Sequence, residues 1–371
     1  MENMFKRTLL GAAIATAAMA STGANAAIDL LDGKVQMYGQ AAGGLIIANP
    51  DGGESNVTAD IESRIGFRGK VEFDNLAPDL IWQMEGGNAN NGTNTGGLGA
   101  RDTFLGLDFD GVGSIKFGRQ LVAAYNYVDW PHSNPGIGGV FDWNNDIGAS
   151  YEDRADNVIR FDSANFGGFN FQATASGMKE DADQVALSFG TSYTADMYTV
   201  HGGYYTRSNL KNEMTYGKDG VIKTGMIVTD NSYGIVGGAL YLGDITLTAA
   251  AKYMMTETEK HGDMSQMAYS ATAQYIAGGT WLYKLGVSYA ETPDLDSRNT
   301  LKVHEDEMHD LAVTGRIGYL LPSAILYADV RYSDHNRFGA KEPNSSDTNA
   351  NGVYSNPGKA TNVHLGVEYY F

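Results

Sequence analysis

The sequence predicts an all-β fold, a transmembrane antiparallel β-barrel of about sixteen strands forming one domain over residues 27–371. Three observations carry that prediction. Apolar and polar residues alternate with a period of two along most of the chain. No segment is long and apolar enough to cross a membrane as a helix. The connections switch between tight turns and long polar loops.

The alternation is plainest in "ESRIGFRGKVEF", Glu62 to Phe73. Ile65, Phe67, Val71 and Phe73 fall on one parity. Glu62, Arg64, Arg68, Lys70 and Glu72 fall on the other. Successive side chains of a strand point to opposite faces, so one face is apolar and the other ionic. A soluble sheet with one wet face would show the same pattern. So would a barrel whose apolar face meets lipid and whose ionic face lines a water-filled lumen. The rest of the chain favours the barrel.

The pattern recurs in order along the sequence. Val35, Met37, Leu45 and Ile47 alternate with Gln36, Tyr38 and Gln40. Val185, Leu187, Phe189 and Tyr193 alternate with Ala186, Ser188, Gly190 and Ser192. Ile245, Leu247, Ala249, Ala251 and Tyr253 alternate with Thr246, Thr248 and Lys252. Trp281, Tyr283, Leu285, Val287 and Tyr289 alternate with Lys284 and Ser288. Leu311, Val313, Ile317 and Tyr319 alternate with Asp310, Thr314 and Arg316. Segments of roughly ten such residues, repeated, are the signature of membrane-spanning strands.

Tight connections are read at "DFDGVG" (Asp108 to Gly113), "YLGD" (Tyr241 to Asp244) and "LLPS" (Leu320 to Ser323). Long polar ones run over Ser208 to Asp230, Thr292 to Asp306 and His335 to Pro357. Asp-Gly suits a hairpin because Gly accepts positive φ. Short turns on one side and long loops on the other are how outer-membrane barrels are built. The last segment, "NVHLGVEYYF", alternates up to Phe371. Left open, such an edge would invite aggregation; pairing it with the first strand removes both edges.

The ends and the composition agree. Lys6 and Arg7, the apolar run Leu9 to Ala20 and "ANA" at Ala24 to Ala26 read as a signal peptide over residues 1–26. That run falls short of the about 20 apolar residues a membrane anchor needs. There is no cysteine, which excludes disulfides and thiol chemistry. A net charge of −18 argues against a general affinity for nucleic acid. A soluble chain of 371 residues would be expected to divide into domains, yet no linker interrupts this one. A barrel needs no such division, because it is one domain whose lumen needs no hydrophobic core.

With these features in place, the chain resembles the general porins of Gram-negative outer membranes. Four stretches carry the likeness: "SRIGFRGKVEF", "RDTFLGLDFDGVGSIKFGRQ", "RADNVIRFDSANFGGFNF" and the terminal "VEYYF". The resemblance implies a sixteen-stranded, water-filled barrel, usually a homotrimer, in contact with outer-membrane lipid and lipopolysaccharide. It implies that the third external loop, about 122–153, folds into the lumen and narrows it. It also implies that Tyr369 and Phe371 belong to a signal read by the outer-membrane assembly machinery. "NPGIGG", Asn134 to Gly139, is similar to a constriction motif of relatives, but Gly136 stands where that motif has Glu. Asp129, Asp142 and Asp146 are candidates to replace the missing carboxylate. By the same resemblance, Arg64, Arg101 and Arg154 match a basic cluster on the opposing wall. Arg68, Lys70 and Arg160 extend it, and Arg101 depends on a bulge within "RDTFLGL". Opposed charges there would filter ions and orient dipolar solutes.

The function implied is passive diffusion of ions and small hydrophilic solutes. The alternative is a sugar-selective channel, for chitin oligosaccharides or maltodextrins, using Tyr125, Tyr127, Trp130, Phe141 and Trp143 as stacking faces. Those rings could equally anchor the loop to the wall. Catalytic chemistry finds no foothold: there is no nucleophile elbow and no Walker loop, and "PGIGG" lacks the context of a dinucleotide site. "HEDEMH", His304 to His309, has metal-ligand residue types but falls in an acidic loop. The expectation is no enzyme, no cofactor and no metal.

Overall fold

A computed structural model describes residues 27–31, 34–87, 96–129, 147, 149, 151–177, 184–208, 210, 212–214, 226–259, 262–295, 309–335 and 358–371. The strands are β1 (Val35–Pro50), β2 in two segments (Asn56–Ile61 and Arg64–Phe73), β3 (Leu76–Gly86), β4 (Leu98–Phe109), β5 (Gly113–Leu121), β6 (Arg154–Ser163), β7 (Phe169–Ser176) and β8 (Ala186–Thr194). They continue as β9 (Tyr198–Arg207), β10 (Met226–Leu242), β11 (Ile245–Thr258), β12 (Met264–Ala277), β13 (Trp281–Ala290), β14 (Asp310–Leu321), β15 (Ala324–His335) and β16 (Gly358–Tyr370). Three further short strands, Ile28–Leu30, Asn212–Met214 and Asp294–Leu295, extend the ladder at its rims.

Each strand pairs antiparallel with the next, and β16 pairs with β1 from Gln40↔Tyr370 to Pro50↔Ala360. The sheet is therefore a closed sixteen-stranded barrel without edges, which is what an apolar terminal strand requires. Beyond the ladder proper, Phe371 exchanges backbone hydrogen bonds with Gly39, at 2.7 and 3.1 Å. The expected short turns are present at Asp110–Val112, Gly243–Asp244 and Pro322–Ser323.

The two faces separate by parity. On β13, Leu285 is 67% exposed and points outward, while the adjacent Lys284 is 8% exposed and points inward. The outward face carries cross-strand aromatic pairs at two levels. Tyr275 lies opposite Tyr283, and Tyr269 lies opposite Tyr289. Six residues separate the two levels on each strand, about 20 Å of rise. Aromatic residues flanking an apolar band on this scale are the girdles of a membrane-spanning barrel. The inward face is largely Thr, Ser, Gln and charged residues. An apolar cluster also lies inside, joining Val122, Ala124 and Tyr125 to Ala186, Tyr205, Tyr233 and Met254.

Two irregularities aim side chains into the lumen. Between β3 and β4 the register jumps from Met84↔Thr103 to Gly86↔Leu98, so residues 99–102 of β4 stand opposite Glu85 alone. Gly99 absorbs the bend with φ 94°. Between β5 and β6 the register shifts after Gly118↔Val158, at Asn157 with φ 54°.

Candidate functional site

The lumen wall of β1 to β6 is laced with ion pairs in two tiers. The upper tier depends on the β4 irregularity, because strict alternation could not turn both Arg101 and Asp102 inward. Arg101 donates from Nε to Glu85 Oε1, and the Tyr38 hydroxyl donates to Glu85 Oε2 at 2.8 Å. Arg154 donates from Nε to Asp102 Oδ1 at 2.6 Å. Arg64 approaches Glu62 at 4.0 Å. The bulge expected within "RDTFLGL" thus falls at the start of that stretch and just before it.

Arg68 sits below Arg64. Its Nε donates to Gln36 Oε1 at 3.1 Å, and its guanidinium lies 5.1 Å from the Tyr38 ring centroid. Lys70 lies lower still, bridging Asp79 at 2.8 Å and Asp108 at 3.0 Å. Across the wall, Asp162 accepts from Arg160 Nε at 2.6 Å and from Lys116 Nζ. Arg64 and Lys70 are six residues apart on β2, and so are Arg154 and Arg160 on β6. That is about 20 Å of strand. The six cations grouped from sequence therefore divide into an upper set of Arg64, Arg101 and Arg154 and a lower set of Lys70 and Arg160, with Arg68 between them.

Sequence reading missed the partners. Lys116 stood at lumen parity in "GSIKFGRQ", between the outward Ile115 and Phe117, and could have been read. Glu85, Asp79, Asp102, Asp108 and Asp162 become partners only once the cross-strand register is known.

The chain leaving β5 turns onto the inner wall. Val122, Ala123 and Ala124 are fully buried, and a π-helical turn follows over Tyr125–Asp129. The Ala123 N–H donates to Thr174 Oγ1 at 3.2 Å and the Ala124 N–H to Ser188 Oγ at 2.8 Å. Asn126 donates from Nδ2 to Gln172 Oε1 at 3.0 Å, and the Tyr127 hydroxyl donates to Asn170 Oδ1. All four acceptors lie on the lumen side of β7 and β8. Burial pushes the Tyr127 hydroxyl above its usual range, and the nearby Asp162 carboxylate adds to the effect. Two small alanines allow this approach; bulkier residues would hold the loop off the wall.

The returning limb is anchored by aromatics. Tyr151 packs edge-on against Tyr205 at 5.7 Å and Tyr233 at 4.9 Å, and these two stack on each other at 5.3 Å. Glu152 accepts from Arg207 at 2.8 Å and from Ser176 at 2.7 Å. Tyr125 and Tyr127, offered from sequence as stacking faces, are buried against the wall at 5% and 7% exposure. Their rings face protein instead of the lumen, because their neighbours are the apolar cluster and Asn170. Asp129 closes the π-helical turn. Trp130, Phe141, Asp142, Trp143 and Asp146 lie outside the described residues, as do Asn134 to Gly139 and the signal peptide. Of "HEDEMH", only His309 is described, packed 5.9 Å from Tyr289. Among the described residues no group of His, Asp or Glu could hold a metal ion.

At the carboxyl end, Tyr369 is exposed on the lipid side and its ring lies 6.1 Å from that of Phe371. The Phe371 ring covers Gly39, where an added Cβ would sit 2.4 Å from a ring carbon.

Comparison with known proteins is consistent across sequence and fold. A family model described as Gram-negative porin matches residues 11–371. The chitoporin of Vibrio furnissii is 33% identical over 327 residues, covering 80% of this chain and 85% of that one. Outer membrane porin F of Escherichia coli strain K12 is 27% identical over 235 residues, covering 58% of this chain and 63% of its own. Among solved structures, the anion-selective porin from Comamonas acidovorans superposes with a TM-score of 0.69 at 19% identity, over 91% of this chain and 99% of that one. OmpT of Vibrio cholerae superposes with a TM-score of 0.71 at 17% identity, over 93% and 100%.

Proposed function

The chain belongs to the family of Gram-negative porins, and from that premise we propose that it is a general diffusion channel, passing ions and small hydrophilic solutes by size and charge. It is an outer-membrane β-barrel with a water-filled lumen. The observation that carries the proposal is the turn of the chain after β5 onto the inner wall. Four polar contacts hold Ala123 to Tyr127 on the inner wall, which supports a third loop that narrows the lumen from within. Asp129, Asp142 and Asp146 would supply negative charge from that loop toward the wall of Arg64, Arg101 and Arg154.

The wall pairs set the character of this pore. Arg101 and Arg154 each share a carboxylate on their own wall, and Lys70, Lys116 and Arg160 do the same below. A fixed but nearly compensated array orients dipolar solutes without excluding either ion strongly. This reading assigns the chain no catalytic role and no cofactor. The protein assembles as a homotrimer, a state that the trimer form of Vibrio cholerae OmpT supports by analogy of fold. Its apolar band meets lipid and lipopolysaccharide, and Tyr369 and Phe371 serve the assembly machinery.

One observation favours a second reading. The Vibrio furnissii relative aligns over most of both chains and is named for chitin. Under this reading Trp130, Phe141 and Trp143 would form a sugar-stacking rail, with Tyr125 and Tyr127 serving only as anchors. Liposome swelling separates the two. A general channel gives rates that fall smoothly with solute size and are equal for chitin-derived and maltose-derived sugars of one size. A marked advantage of the chitin series would establish the second reading and sink the first.

A further inference from the structure

Away from the charged wall and the third loop, the register brings six inward side chains into one line across β11 to β16. Thr246 lies opposite Gln274, Gln274 opposite Lys284, and Lys284 opposite Arg316. Arg316 lies opposite Asp329, and Asp329 opposite His364. Their sequence neighbours Ile245, Tyr275, Tyr283, Leu285, Ile317 and Leu365 are exposed on the lipid side.

The line contains one carboxylate, and Arg316 engages both of its oxygens. Arg316 Nε and Nη2 donate to the two Asp329 oxygens at 2.6 Å each, and the guanidinium lies 4.1 Å from the Tyr327 ring centroid. Lys284 is left over. It is 8% exposed and, among the described residues, has neither an ion-pair nor a hydrogen-bond partner. Its directly opposed neighbour on β14 is a second cation, an arrangement that repels. On its other side, Gln274 Nε2 is buried without an acceptor, and Thr246 Oγ1 beyond it has no partner. Thr314 Oγ1, two residues from Arg316 on the same face, is buried and unmatched as well.

The one carboxylate of the line already serves Arg316 with both oxygens, so the Lys284 ammonium is under-compensated in charge, and the unmatched buried groups beside it add to the cost. Water can satisfy a hydroxyl or an amide but cannot balance the charge. The complement of this set is an anion with at least two acceptor oxygens. We propose that Thr246, Gln274, Lys284 and Arg316 form a binding site for a small oxyanion, either inorganic phosphate or the carboxylate of an organic acid. The site lies about 10 Å along β13 from the short-turn end of the barrel, three residues beyond Trp281. A solute anion crossing the lumen would pause there before leaving by that mouth.

The proposal rests on the lumen being an aqueous path, and the test reads the two separately. Single-channel conductance of the full-length protein is recorded in potassium chloride at constant ionic strength, titrated with inorganic phosphate and, in a second arm, with acetate. The wild type should show a saturable fall in conductance with phosphate. In Lys284→Gln the concentration for half effect should rise at least tenfold. Lys284→Arg should retain the effect, and the exposed Lys359→Gln should leave it unchanged. A matching response to acetate assigns the site to carboxylates as well; a response to phosphate alone restricts it to phosphate. If Lys284→Gln does not assemble, the double variant Thr246→Val, Gln274→Leu carries the test and should weaken the phosphate effect severalfold. Open channels that show no saturable phosphate effect, or the same effect in wild type and Lys284→Gln, overturn the site alone. Absence of conductance from a folded wild-type preparation overturns the channel reading instead.

Discussion

Tyr38 lies across Gly66, its directly opposed partner on β2, so closely that a Cβ on Gly66 would sit 2.4 Å from the ring. Arg68 lies over that ring as well, and Glu85 holds its hydroxyl. The same arrangement recurs where β15 meets β16: Tyr327 crosses Gly366, with Arg316 on its ring. In both places a glycine lets an aromatic ring lie flat on the wall, so a guanidinium can stack on it without filling the lumen. Gly66→Ala should therefore lift the Tyr38 ring. Overpacking of this kind costs about 1–3 kcal/mol. The expected result is a lower melting temperature of the assembled barrel, and a Tyr38→Ala, Gly66→Ala double variant should lose less than the sum of the two single changes.

The upper tier predicts ion preference. Arg154→Gln leaves Asp102 without its guanidinium and makes the wall more negative. A change in local potential on the order of one kT shifts ion partitioning about threefold. Reversal potentials under a salt gradient should move toward cations for Arg154→Gln and for Arg64→Gln. No movement in either variant would place these residues outside the narrow section.

Tyr127→Phe tests the loop's attachment. The substitution removes the bond to Asn170, worth about 1 kcal/mol, and keeps the ring. Open-channel conductance should become noisier, with more frequent transitions, while its mean changes little. An unaltered noise spectrum would mean that the other three contacts suffice to hold the loop.

Deletion of Phe371 removes two backbone bonds to Gly39 and the ring that covers it. Less assembled protein should reach the outer membrane while export continues, seen as a shift from heat-modifiable oligomer to unfolded chain on gels. Normal assembly of the truncated chain would contradict the role given to the terminal strand.

Much of this is legible in the sequence itself. Period-two alternation marks seven of the strands outright, and the contrast of short and long connections gives the sense of the barrel, because both are local properties of the chain; β10 nonetheless begins at Met226, inside the stretch Ser208 to Asp230 read as a connection. The lumen parity of Arg64, Arg68 and Lys70 followed from the outward Ile65 and Phe73. Their division into tiers did not, since the partners Glu85, Asp79, Asp108 and Asp162 are fixed by register and by the irregularity at 99–102. Tyr125 and Tyr127 were ambiguous for the same reason: an aromatic ring in a loop can face sugar or wall, and only the positions of Ala124, Asn170 and Ser188 decide. The line through Thr246, Gln274 and Lys284 was invisible in sequence, because its members come from three strands.

The central claim is an open pore that sorts by size and does not hold sugars. Single-channel recording in a planar bilayer tests it most directly. The account predicts insertion in three equal conductance steps, and no discrete blocking events when chitin oligosaccharides or maltodextrins are added at low concentration. Stacking on an aromatic ring could contribute on the order of 1 kcal/mol each, so several rings in series would produce visible blocks. Long, concentration-dependent blocks that disappear in Trp130→Ala or Trp143→Ala would contradict the account and make the protein a sugar-selective channel.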